Sequence, residues 1–125
     1  MDKKKIEFFE DLFVWKQGAE LVKEIYAITD GERLRRDFGL RDQMRRAAVS
    51  VPSNIAEGFE RYSRKEYLHF LHIAKGSLGE LRSLLYVARE IGYLNDNEHN
   101  VLREKARFLS ASIANQIKSI STKLH

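Results

Sequence analysis

Six arginines lie between positions 33 and 46 (Arg33, Arg35, Arg36, Arg41, Arg45 and Arg46), set against Asp37 and Asp42. A guanidinium is a planar, permanently charged fork that can grip phosphate oxygens two at a time, so a cluster of this kind is the chemistry of polyanion contact. The charge excess of this stretch equals the net charge of the whole chain, +4, because acidic and basic residues balance elsewhere. Arg41 and Arg45 stand one helical turn apart on one face, with Arg33, Arg35 and Arg36 just before them. These five are the candidate nucleic-acid contacts. The competing reading is a solvated face on which Asp37 and Asp42 pair with the arginines. No platform for stacking unpaired bases stands out, so structured RNA or duplex phosphate is the expected polyanion.

Other chemistries are weaker. Glu66, His69 and His72 bring three metal-ligand types within two helical turns, and Glu66-x-x-His69 has the spacing found in di-iron bundles. Such a centre needs a second pair, and the nearest substitute, Asp96-x-x-His99, falls at a helix start, so no metal site and no cofactor are expected. Ser50, Ser53, Asn54 and Glu57 could converge, but beside Pro52 a hydroxyl, an amide and a carboxylate are what a proline-interrupted helix needs to satisfy its backbone and tie itself to a neighbour. Gly76-x-x-Gly79 sits inside a helical pattern and is no phosphate loop. The chain has no cysteine, which removes thiolate catalysis, cysteine-ligated zinc and disulfides, and fits a cytoplasmic address. Met1 to Phe9 carries three lysines and no apolar run of signal-peptide length, and no later stretch approaches the ~18 apolar residues of a membrane span. An enzyme is not expected.

Helices must position these groups. At 125 residues, with 43% hydrophobic and 32% charged residues, the chain suits one folded domain over 1–125. Apolar residues recur at three and four, and no stretch alternates long enough for a strand. The pattern predicts an all-α fold with helices over about 11–29, 40–61, 64–91 and 96–121. Leu12, Trp15, Ala19, Val22 and Tyr26 make the first stripe, and Asp30-Gly31 the stop. Leu40, Met44, Ala47, Val51, Ile55 and Gly58 make the second, which keeps its phase across Pro52 and so predicts a kink there rather than a restart at Ser53 or Asn54. Tyr67, Phe70, Leu71, Ala74, Leu78, Leu81 and Leu85 make the third, after a capping box of Ser63 and Glu66 and before a Gly92 cap. Leu102, Ala106, Leu109, Ile113, Ile117 and Ile120 make the fourth, after a second, weaker box of Asn95 and Glu98. Long helices on short links imply an antiparallel bundle.

Two helices are apolar on a further side: Val14, Leu21, Ile25 and Ile28 on the first, and Ile73, Leu84, Val87 and Ile91 on the third. Either the core is wide, or these stripes are self-association surfaces. Gly18 and Gly76 lie on them, where each weakens its helix by about 1 kcal/mol relative to Ala unless another backbone approaches closely. Gly18, Leu21, Ile25, Ile73, Gly76, Leu84 and Val87 are accordingly the candidate oligomer interface.

The run Ser50-Val-Pro-Ser-Asn-Ile-Ala-Glu-Gly-Phe-Glu-Arg61, the segment Tyr67-Leu-His-Phe-Leu-His-Ile-Ala-Lys-Gly-Ser-Leu-Gly-Glu-Leu81 and Asp11-Leu-Phe-Val-Trp-Lys16 resemble the four helix bundle protein family, also called the 23S ribosomal RNA intervening-sequence protein family, over about Phe9 to Ile120. The resemblance implies an up-down-up-down bundle assembling as a ring-shaped homopentamer. It implies a genetic association of some members with insertions in large-subunit ribosomal RNA genes, and a likeness to the accessory protein of diversity-generating retroelements, a pentamer that engages a reverse transcriptase and nucleic acid. It carries over no enzyme activity. The expectation is a non-enzymatic homo-oligomeric bundle that contacts structured RNA or another nucleic acid through its arginines, with no membrane partner. The alternative is a protein-interaction scaffold whose charge is incidental.

Overall fold

The computed structural model describes residues 5–122. A 3-10 turn at Phe9–Asp11 leads into α1 (Phe13–Thr29), followed by α2 (Glu32–Arg36), α3 (Phe38–Phe59), α4 (Arg64–Glu90) and α5 (Asp96–Thr122), with no strand among the described residues. The chain is all-α. Its four long helices pack as a bundle in which α1 lies on α3, α3 on α4, α4 on α5, and α5 back on α1. Among the described residues no helix is long and apolar enough to cross a membrane.

The core is built from one stripe per helix. Met44, Val51 and Ile55 of α3, Leu71, Leu78, Leu81 and Leu85 of α4, and Leu109 and Ile113 of α5 are buried. On α1 the inward face is Val14, Gly18, Leu21, Ile25 and Thr29. The first-helix stripe expected from the sequence is therefore displaced: Trp15 and Val22 pack at the core's margin and Tyr26 is 43% exposed. The cause is Pro52. A Cβ on Gly18 would lie 3.4 Å from two carbons of the proline ring, so the close backbone approach that Gly18 permits is made to α3 of the same chain. Gly18, Leu21 and Ile25 thus leave the candidate oligomer interface, since a side chain buried in its own core presents nothing to a second copy. The other half of that list sits differently. Ile73 and Val87 are exposed, Gly76 has open space where a Cβ would point, and Leu84 is half-buried against the core.

α3 is continuous through Pro52, without a restart at Ser53 or Asn54. Its polar residues there tie it to α4. The Asn54 amide donates to the Ser50 hydroxyl (2.9 Å), Ser50 and Ser77 share a hydrogen bond (2.8 Å), and Ser77 donates to the Ile73 carbonyl (3.1 Å). Since Ser77 spends its proton on Ile73, Ser50 donates to Ser77, and the chain of bonds runs one way from α3 to α4. The second Asn54 bond goes to the Ser50 carbonyl (2.7 Å), not to the Ala48 carbonyl that Pro52 deprives of a donor. At the far end of α3, a Cβ on Gly58 would fall 2.8 Å from the Phe70 Cβ and 3.0 Å from the Tyr67 Cδ1, so the α3–α4 seam closes only over a glycine.

The caps follow local sequence. Asn95 and Glu98 form a reciprocal box at α5, with both backbone N–H groups bonded to the other's side chain (2.9 and 2.7 Å). At α4 the Ser63 hydroxyl accepts from the Glu66 N–H (3.2 Å), while the Glu66 carboxylate turns to Arg61 (3.5 Å). Gly92, at φ +84°, ends α4 with Tyr93 N–H bonded to the Ala88 carbonyl and Gly92 N–H to the Arg89 carbonyl. Asp37 caps α3 by accepting from the Leu40 N–H (3.1 Å), and its other oxygen accepts from the Tyr93 hydroxyl (3.1 Å), which locks the start of α3 to the α4–α5 turn. That bond, with some burial and the Asp37 charge, raises the Tyr93 pKa, and Arg33 opposes the shift.

These contacts make two stability predictions. Gly58→Ala should lower the urea midpoint by the equivalent of about 1–3 kcal/mol through overpacking, whereas Gly79→Ala, where a Cβ meets nothing within 4 Å, should raise it by about 1 kcal/mol through helix propensity. Both are compared at one protein concentration. A stabilised Gly58→Ala would show that the seam is looser than described. For Tyr93, a raised folded pKa means the neutral phenol is favoured in the fold. Its contribution is complete below the usual tyrosine value of about 10 and is lost as pH rises through the folded value. Urea midpoints should fall above that pH in the wild type and fall less in Tyr93→Phe; equal slopes would remove Tyr93 as the cause.

Candidate nucleic-acid interface

The arginine segment folds as α2 and the first half of α3. α2 is one short turn of helix that buries Leu34 and leaves Arg33, Arg35 and Arg36 exposed. This segment, which lies between the first two helices expected from the sequence, is helical because Gly31 opens it and Leu34 anchors it to the core.

The arginines then divide by what they touch. Arg33 Nη1 donates to the Gly92 carbonyl (2.9 Å), which fastens α2 to the α4–α5 turn. Arg36 reaches Glu32 at 3.8 Å, with both side chains about three-quarters exposed, so this pair adds little. Arg35 makes no side-chain bond among the described residues. Arg41 donates through Nε to Asp42 (2.9 Å) and through Nη1 to the Arg35 carbonyl (3.2 Å), while lying over the Phe38 ring at 4.8 Å. Arg45 stacks on the Tyr26 ring at 4.4 Å and donates through Nε to the Thr29 hydroxyl (2.9 Å). Thr29 is buried and in turn donates to the Ile25 carbonyl (2.6 Å).

Arg41 and Arg45 are therefore not free surface charges. Both help hold α1, α2 and α3 together, and removing Arg45 leaves a buried hydroxyl short of a donor. Neither is exhausted, however. A guanidinium carries five N–H donors, and Arg45 spends one while its ring contact fixes the plane of the rest. Arg46, outside the set chosen from the sequence, is exposed with no ion pair among the described residues. It shares with Arg45 an open depression of about 760 Å³ over the outer side of α3, rimmed by Tyr26, Asp42, Ser50 and Glu80. Its signal was already in the sequence, adjacent to Arg45. Tyr26 and Thr29 carried no such signal, because only the packing of α1 on α3 brings them to Arg45.

The remaining candidates are dispersed. His69 is exposed, with its ring edge against Phe70 (centroids 5.3 Å), and no three His, Asp or Glu residues among the described residues come together as a metal site. Glu57 pairs with Arg61 at 3.5 Å. The Tyr67 hydroxyl is buried without a close partner among the described residues, and burial raises its pKa against a smaller opposing effect of Gln116.

No protein of curated function matches the sequence. A crystal structure of a protein with unknown function from the S23 ribosomal protein family of Bacteroides thetaiotaomicron VPI-5482 superimposes with a TM-score of 0.77 at 20% identity, covering 84% of this chain and 98% of that one. At that identity the likeness concerns the fold. The sequence itself matches the 23S rRNA-intervening sequence protein model over residues 10–115, which spans α1 through most of α5, and the chain belongs to that family.

Proposed function

We propose that this protein is a non-enzymatic, homo-oligomeric helical bundle that contacts structured nucleic acid through the arginine surface of α2 and α3. The observation that carries the reading is that surface's unspent donors: Arg35 and Arg46 have no ion pair among the described residues, Arg36 has a long exposed one, and Arg45 holds its guanidinium over the Tyr26 ring with one of five donors used. A non-enzymatic role is supported by Ser50 and Asn54 being consumed in the α3–α4 tie.

Self-association, as the ring-shaped homopentamer that the family resemblance implies, is supported now by α4 alone. Ile73, Val87 and Ile91 are 38%, 42% and 51% exposed, and Gly76 leaves room on the same helix for a neighbouring backbone. A ring would repeat the arginine surface and raise its avidity for a polyanion. A specific observation also favours the protein-scaffold reading: Phe13 and Phe108 make an edge-on pair (6.2 Å) on the α1–α5 seam, and each is more than half exposed. A protein partner would cover such rings, whereas phosphate would not.

Light scattering behind size-exclusion chromatography should give about five times the chain mass, and Val87→Glu should reduce it; a wild-type monomer at micromolar concentration overturns the oligomeric reading. For nucleic acid, the Arg35→Ala/Arg36→Ala/Arg46→Ala variant should keep its helicity and mass while binding structured RNA more weakly. Its log-log salt slope should be smaller by about 0.7–0.9 for each phosphate that the variant no longer neutralises. If wild type fails to bind structured RNA at low salt, or the triple variant binds equally well throughout the titration, the scaffold reading replaces this one.

A further inference from the structure

A second set of arginines meets between α4 and α5. α4 places Arg82, Tyr86 and Arg89 on one side at spacings of four and three, with Ser83 beside them, and α5 places His99 and Arg103 one turn apart facing them. Together they line a cleft of about 410 Å³ between α4 and α5 whose lining holds three guanidiniums and no carboxylate. That volume falls in the usual range for small-ligand sites, about 300–1,000 Å³.

The cleft is organised. Arg89 lies over the Tyr86 ring at 5.0 Å, and its Nη1 stands 3.3 Å from the Nδ1 of His99, which is 2% exposed. A guanidinium can only donate, so Nδ1 accepts, and the two contacts together fix the Arg89 plane. The Tyr86 ring also meets His99 edge-on (6.3 Å). Arg103 has its Nε buried with no partner among the described residues, while its Nη2 reaches Glu104 at 3.2 Å. Glu104 is shared with Arg107 (3.4 Å), and Glu90 holds Arg89 Nε at 3.4 Å; both carboxylates stand outside the lining. Arg82 has no ion pair among the described residues. Arg89 and Arg103 each have one carboxylate outside the lining and Arg82 has none, so within the recess the guanidiniums face one another with no anion among them, a balance that an added anion improves.

We propose that the α4–α5 cleft binds a phosphomonoester group, with Arg82, Arg89 and Arg103 as its donors and the Ser83 hydroxyl beside them. A carboxylate, with one charge and two oxygens, is met by a single arginine fork. A terminal phosphate offers three oxygens and close to two charges, which three guanidiniums match. The group could be carried by a free nucleotide or by the 5′ end of an RNA; the recognising chemistry is the same. The inference does not rest on the α2–α3 surface binding RNA, because none of its residues is shared with that surface.

Titration calorimetry of the full chain with inorganic phosphate, AMP, and a short RNA bearing either a 5′-phosphate or a 5′-hydroxyl tests the site. The expected results are saturable binding of phosphate and AMP, and tighter binding of the 5′-phosphorylated RNA than of its hydroxyl counterpart if the source is an RNA end. Tighter binding of AMP than of the phosphorylated RNA would identify the free nucleotide as the source, and the reverse order the RNA end. Arg82→Ala, an exposed substitution that leaves the core intact, should weaken phosphate binding by about tenfold or more, the size of one missing charge-assisted hydrogen bond. Arg103→Lys should weaken it as well, since it keeps the charge but loses the planar fork that can meet two phosphate oxygens at once. Arg35→Ala/Arg46→Ala should leave phosphate and AMP affinity unchanged. No saturable binding of phosphate or AMP at millimolar concentration overturns the proposal, as does affinity that survives Arg82→Ala and Arg103→Lys but falls with Arg35→Ala/Arg46→Ala.

Discussion

The contact of Gly18 with Pro52 sets the geometry on which the rest of the bundle depends. Proline inside a helix has no N–H to give and carries a ring that stands away from the helix surface. α1 meets that ring at Gly18, where a Cβ would itself sit at contact distance, 3.4 Å, from two ring carbons. That contact rotates α1 so that Val14, Leu21, Ile25 and Thr29 face inward. About two turns along the same seam, it presents Tyr26 and Thr29 to Arg45. On the other flank of α3, Gly58 performs the matching service for Tyr67 and Phe70 of α4. α3 is thus clamped at a glycine on each side, and the Asn54–Ser50–Ser77 chain sets its register on α4 between them.

The stripes of α3, α4 and α5 were legible in the sequence because on each of them the longest run of apolar residues at helical spacing is the one the core takes; the second run on α4 leaves Ile73, Val87 and Ile91 exposed. α1 was not, because Leu12, Trp15 and Val22 compete with Val14, Leu21 and Ile25, and the tie is broken by Pro52, more than thirty residues away. Caps were legible where both partners were local, as with Asn95 and Glu98. The Ser63 box is half-made because Arg61, on the preceding turn, takes the Glu66 carboxylate. α2 could not be read at all. Five residues are too few for periodicity, and such a turn survives only by docking Leu34.

The candidate sites divide in the same way. The charge of the Arg33–Arg46 stretch is a property of composition and is visible in one dimension. Which of its arginines are committed is not, since Arg33 is tied to Gly92 and Arg45 to Thr29, each across the fold. The α4–α5 cleft is wholly three-dimensional. Arg82, Arg89 and Arg103 are spread over twenty-two positions, and they meet because the Gly92 turn and the Asn95–Glu98 cap fold α5 back along α4. The rows of Arg82, Tyr86 and Arg89 and of His99 and Arg103 are signals that a search for clustered charge overlooks and a search for facing rows would find.

Arginine and aromatic residues are paired throughout this bundle: Arg41 on Phe38, Arg45 on Tyr26, Arg61 on Phe70 and Arg89 on Tyr86. A stacked guanidinium loses much of the rotamer freedom that a free side chain would otherwise surrender on binding, about 0.5–1.5 kcal/mol for each side chain immobilised. Its donors also point in a direction fixed by the ring. Charges held this way suit a partner whose own phosphates are held at set positions, a folded RNA or a terminal phosphate seated in a cleft, better than a flexible strand that can adapt to mobile lysines. In the proposed reading, the outer arginines Arg35, Arg36 and Arg46, free of such rings, would be the part of the surface that adapts to a phosphate path, with Arg45 as the fixed point from which they reach.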